Sequence, residues 1–198
     1  MQINSRELLT ELISMTDDAI EAAQRFKTYD LRILNFKKDA QSWSILQCLE
    51  HLNLYGDFYL PEIEKRMDNS THRNPGTVFH SGIIGNYFAN LMLGRNGKIK
   101  KMKTPKDKRP AESNLSVLTI DRFIKQLEML KTLLAKATQV DLTKTKTSIA
   151  ISNLVKLRLG DTFRFLIYHI DRHIRQADRS FEGAPKYAPK IRLGMIMF

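Results

Sequence analysis

Two histidines four residues apart, His169 and His173, stand in the segment GDTFRFLIYHIDRHIRQA near the end of this 198-residue chain. On a helix that spacing puts both imidazoles on one face, one turn apart, where they can converge on a single metal ion. The same stripe takes in Thr162, Phe165, Leu166 and Gln176, while Arg164, Asp171, Arg175 and Asp178 fall on the side expected to be wetter. A third histidine, His51, shares an expected helix face with Cys48, Leu54, Tyr55 and Phe58. Three inward imidazoles on two helices need partners, because burying each unpaired costs about 1–3 kcal/mol. A divalent metal would satisfy all three, as would carboxylate or carbonyl partners in an ordinary core, and the spacing alone leaves both readings open. Three neutral imidazoles around a metal leave a coordination position for water or substrate, the arrangement of catalytic rather than closed structural sites.

The other candidates carry weaker signals. His72 and His80 fall in a linker rich in Pro, Gly and Asn and read as loop residues. Cys48, the single cysteine, lies one turn from His51 and could be a nucleophile or fourth ligand, but a lone cysteine on an apolar face reads first as a small core residue. Gln176 can act as a partner behind the ligands, or as a hydrogen-bonding group near a helix end. Arg172 and Arg175 flank the pair and could meet an anionic cofactor or form surface ion pairs. A di-iron bundle would need paired Glu-x-x-His motifs, and neither His169 nor His173 has Glu three residues before it.

Four helical segments must position these residues. The first spans about Ser5 to Phe26, with Asn4 and Glu7 resembling a capping box. The second runs from Ile45 to about Arg66, opened by Ser44 with Gln47 at N3 and Trp43 before it, and Pro61 is expected to kink or break its last turn. The third covers about Ser116 to Ala137, and the fourth starts at Asp161, read as its N-cap, and reaches about Arg179. Between the second and third lies a long connection with a short apolar helix near Ser81 to Leu93. Strand alternation is confined to a weak stretch at Thr147 to Leu154. The fold class expected is all-α: a four-helix bundle in one domain with a long crossover between helices 2 and 3.

Composition narrows the function classes. A net charge of +11 suggests nucleic acid, but eight Lys and Arg against Asp107 between Arg95 and Arg109 concentrate most of it in one loop. That loop carries Gly97 and Pro105, lacks interleaved aromatics and reads as a solvated crossover, so no nucleic-acid partner is expected. A single cysteine excludes a disulfide framework within the chain. No stretch reads as a secretory signal or membrane span, and a cytoplasmic home is expected. The segment from Glu182 ends in the apolar Met195, Ile196, Met197 and Phe198, which pack back on the bundle or meet a partner chain, so a homodimer is one expectation.

Trp43-Ser44 opening the run WSILQCLEHL, the H-x-x-x-H-x-x-Q pattern of the last helix, and the loop KMKTPKDKRP before the third helix together resemble the DinB-like superfamily. The resemblance implies a bundle with up-down-down-up connectivity and a divalent metal, often zinc or nickel, held by His51, His169 and His173. It further implies activation of a low-molecular-weight thiol, such as bacillithiol, mycothiol or glutathione, for transfer to an electrophile or for isomerisation. A hydrolase of the same fold is one alternative; a non-enzymatic metal-binding stress-response bundle is the other, left open because no general base is evident beyond the metal site.

Overall fold

The computed structural model describes residues 1–93, 103–110, 115–150 and 152–182. Much of the basic loop and the apolar segment after Glu182 lie outside the described residues.

Four long helices form the molecule's frame. Helix α1 (Ser5–Lys27) follows a three-residue strand β1 (Gln2–Asn4), and Asn4 caps it by accepting from the Arg6 and Glu7 amides. A single turn α2 (Leu31–Leu34) leads to α3 (Ile45–Asp68), whose first turn is closed by the reciprocal Ser44–Gln47 capping box expected from sequence. After strand β2 (Val78–His80) comes α4 (Ile83–Leu93), then α5 (Val117–Lys136), capped by Ser116. Strands β3 (Lys146–Ile149) and β4 (Ser152–Arg158) form a hairpin leading directly into α6 (Leu159–Glu182). No helix among the described residues is long and apolar enough to cross a bilayer.

Side-chain contacts fix the helix directions. Asn53 donates to the Thr119 carbonyl at 3.1 Å and Lys136 to Asp68 at 2.5 Å, so α3 and α5 run parallel. Lys27 pairs with Asp121 and Lys131 with Asp17, which makes α1 antiparallel to α5. Met1 meets Arg164 and Arg25 meets Asp178, so α1 runs with α6, while the pairing of His51 with His169 and Tyr59 with Phe165 sets α3 against α6. The connectivity is therefore up-down-down-up, and the long α3–α5 connection is the crossover that two successive parallel helices require.

Several details depart from expectation. Pro61 does not end α3; the turn beyond it is held by Ile63 and Met67, both fully buried, and by Glu62, which accepts from Arg66 and from the Ser148 amide. The weak alternation around Thr147 becomes a hairpin with a register irregularity between Ser148 and Ile149, and the β1–β2 ladder had no sequence signal.

Asp161 does not cap its own helix, which begins two residues earlier. Fully buried, it accepts from the Gly82 amide at 2.8 Å and from the Ser81 hydroxyl, immediately before α4. It thus caps a neighbouring helix rather than its own. Arg164, expected on the wetter side, is also buried, pairing with Asp161 at 3.2 Å and reaching Asn86. The cause is α4, which packs along α6 and covers a second side of it. Gly85 permits that approach, since a Cβ there would run into the Asp161 side chain.

Candidate metal centre

The antiparallel α3 and α6 bring His51, His169 and His173 together. All three are buried, and one ring nitrogen from each lies within 4.8 Å of the others. The His51 Nε2 and His169 Nε2 are 3.2 Å apart.

The tautomer of His51 follows from its other nitrogen. Nδ1 lies 2.6 Å from the Lys108 carbonyl oxygen, which can only accept, so Nδ1 carries the proton and Nε2 presents its lone pair to the group. A carbonyl partner on the far nitrogen is also the usual way a metal-binding imidazole is oriented. His169 and His173 have no such satisfaction: the Nδ1 atom of each is buried without a hydrogen-bond partner among the described residues. The carbonyl explanation therefore holds for one ring of the three.

Burial also sets the charge state. It pulls the His51 pKa down to about 4, against the opposing influence of the Lys108 carbonyl. His169 and His173 lie well below the ordinary range, first through burial and then through the proximity of the other imidazoles. The Gln176 side chain works in the opposite sense on His173 by hydrogen bonding. All three rings are neutral at pH 7, the form in which imidazole binds a metal. Three clustered nitrogen donors with no thiolate or carboxylate among them suit a divalent transition-metal ion.

Aromatic rings hold the imidazoles in place. Trp43 stacks on His173 at 5.8 Å and tilts over His51 at 4.9 Å, Tyr55 meets His169 edge-on at 4.6 Å, and Phe165 stacks on His169 at 5.8 Å. The Trp43 carbonyl accepts from the Ser180 hydroxyl at 2.9 Å, fastening the start of α3 to the end of α6.

Lys108, one of the basic residues expected to be solvated, is instead docked. Its ammonium donates to the Leu54 carbonyl at 3.0 Å and approaches the Tyr55 and Phe58 rings at 5.8 and 5.9 Å. The segment before it supplies Lys103, Thr104 and Pro105 to the wall of a cavity of about 520 Å³ that opens beside the histidines. Arg172 and Gln176 also line this cavity. Arg175 does not; its exposed guanidinium pairs with Asp171 at 2.9 Å. Cys48 is fully buried and lies outside the histidine group, with burial pushing its thiol up to about 12. His72 and His80 are exposed and apart from the cluster.

Sequence reasoning missed Lys108 and the apolar wall contributed by Tyr59, Phe88 and the β3–β4 hairpin. The KMKTPKDKRP segment had marked the loop, but a backbone carbonyl leaves no trace in residue type.

A bundle of up-down-down-up helices around a buried three-histidine group, open to a cavity, defines a helical protein with a candidate metal site. A family model for the DinB superfamily matches residues 15–177, and the chain belongs to that superfamily. No curated protein and no solved structure matches it.

Proposed function

We propose that this protein is a metal-dependent S-transferase that uses a low-molecular-weight thiol, bacillithiol-like in being anionic, against an electrophile. The observation that carries the reading is the buried group of His51, His169 and His173, one ring nitrogen of each lying within 4.8 Å of the others, at the wall of a substrate-sized cavity. A divalent zinc or nickel ion held there would supply a Lewis acid that lowers the pKa of a thiol.

The chain's own residues favour a thiol over water as the nucleophile. No Asp or Glu lines the cavity among the described residues, so no carboxylate is placed to take a proton from water. A thiol begins near pKa 8.5 and needs a much smaller shift than water at 15.7. Lys103 and Arg172 bring two cations to the cavity wall, which suits an anionic thiol. The Lys108 carbonyl holds the His51 ring in the tautomer that presents Nε2.

Metal analysis of purified protein tests this beside His51→Ala, His169→Ala and His173→Ala. About one equivalent of transition metal in the wild type is expected, lost in each variant, together with metal-dependent conjugation of bacillithiol to a chloronitroarene. A wild type that refuses added zinc and nickel would sink the proposal.

A further inference from the structure

The cavity is a trough along α6. Its lining residues on that helix, Phe165, His169, Arg172, His173 and Gln176, follow one face at steps of i, i+4, i+7, i+8 and i+11. At a rise of 1.5 Å per residue the ends of this row stand roughly 16 Å apart, with the histidines between them. Because α3 is antiparallel, His51, Tyr55 and Tyr59 step along the opposite wall towards the Phe165 end.

The two ends differ in chemistry. Around Gln176 the wall is polar and cationic, with Arg172, and with Trp43 as the aromatic surface. Around Phe165 it is apolar. Tyr59 lies 5.8 Å and Phe88 6.2 Å from the Phe165 ring, and Ile149 and Leu157 of the hairpin complete the wall. The Tyr59 hydroxyl accepts from the Ala150 amide at 3.3 Å, which ties the hairpin to α3 and leaves the ring as the surface Tyr59 offers. Arg172, the lining cation whose place helix α6 fixes, stands nearer the Gln176 end.

We infer that the Phe165 end is the subsite for the electrophile, and that the electrophile is an uncharged molecule with an aryl or branched alkyl body. This rests on the transferase reading, in which the anionic thiol takes the Gln176 end. The division places the two reactants on either side of the histidines. In the reaction the thiol proton leaves to solvent, the thiolate sulfur donates an electron pair to the electrophilic carbon, and the leaving group, such as chloride, departs with its bonding pair. An aromatic wall favours such a body through offset stacking and desolvation, whereas an acidic body would lose its hydration against the rings of Phe165, Tyr59 and Phe88.

Binding can be read without turnover, because Trp43 is the only tryptophan and lines the same cavity. Zinc-loaded protein is titrated with 1-nitronaphthalene, a neutral nitroarene that carries no leaving group, and quenching of Trp43 is followed. Saturable quenching is expected, weakened at least tenfold in Phe165→Asn and unchanged in Arg175→Ala, which alters an exposed residue outside the cavity, with 1-naphthoate binding at least tenfold more weakly than the neutral compound at this end. Zinc stoichiometry and helical circular dichroism identify a variant that has failed to fold, in which case Phe165→Leu, which keeps the apolar wall but loses the ring, replaces it with an intermediate loss expected. Unsaturable quenching in the wild type, or equal affinity in Phe165→Asn, overturns the subsite. Tight nitronaphthalene binding lost in Phe165→Asn, without conjugation of any thiol to 1-chloro-2,4-dinitrobenzene, leaves the apolar subsite standing and overturns the transferase reading alone.

Discussion

Replacing Lys108 by methionine should weaken zinc binding about tenfold without unfolding the protein. The Lys108 carbonyl accepts from His51 Nδ1 at 2.6 Å, and the side chain of the same residue is fastened to α3 through the Leu54 carbonyl at 3.0 Å. Methionine keeps an apolar stem against Tyr55 and Phe58 but loses the charged hydrogen bond, a contribution of about 1.5–3 kcal/mol where the group is sheltered. The Lys108 side chain is 13% exposed, so that range applies with little screening. The energy fastens the strap rather than the ring, and the metal feels it only as far as the carbonyl leaves His51. Loss of such an outer partner reduces metal affinity 10–100-fold, and partial release puts the expectation at the lower end of that range. A chelating indicator in competition for zinc gives the dissociation constants. Lys108→Arg should recover most of the loss, because a guanidinium can also donate to the Leu54 carbonyl. A wild-type zinc affinity in Lys108→Met, in a protein where His51→Ala abolishes binding, would refute the idea that the strap positions the ligand.

The metal-free protein should lose stability as pH falls from 7 to 5. His51 has a folded pKa of about 4 against an ordinary value near 6.5, and His169 and His173 are displaced in the same direction, so the unfolded chain binds more protons in this window. Their contribution is whole above about pH 6.5 and fades towards pH 4; a melting temperature independent of pH in metal-free protein would contradict it. Cys48, raised to about 12 by burial, should resist iodoacetamide at pH 8 in native protein and react once in denaturant, which mass spectrometry reads directly. Asp161→Asn should destabilise by about 3 kcal/mol, because it leaves the buried Arg164 charge short of its counterion, lowering the melting temperature by on the order of 10 °C. A shift of less than 2 °C in differential scanning calorimetry would show that Asn86 and Ser81 suffice to hold that charge.

What could be read ahead of the structure depended on whether the information sits in side-chain type and period. His169 and His173 were legible because a spacing of four on a helix admits one geometry, and the Ser44–Gln47 capping box because its two bonds need those two residue types. Arg164 was misplaced for a physical reason: an amphipathic pattern assigns one buried face per helix, and α6 has neighbours on two sides, α3 and α1 in the bundle and α4 outside it. Burying a cation on that second side became tolerable once Asp161, three residues earlier, had been drawn in to cap α4. Lys108 was hidden more thoroughly, since its role at His51 belongs to its carbonyl and would look the same in any residue with that backbone path. The strap nevertheless has a side-chain logic of its own: only a long cation reaches the Leu54 carbonyl while lying against Tyr55 and Phe58. Docking that side chain on α3 one turn beyond His51 brings the carbonyl to the ring, so a residue whose charge suggested solvent is the one that joins the crossover to the candidate metal site.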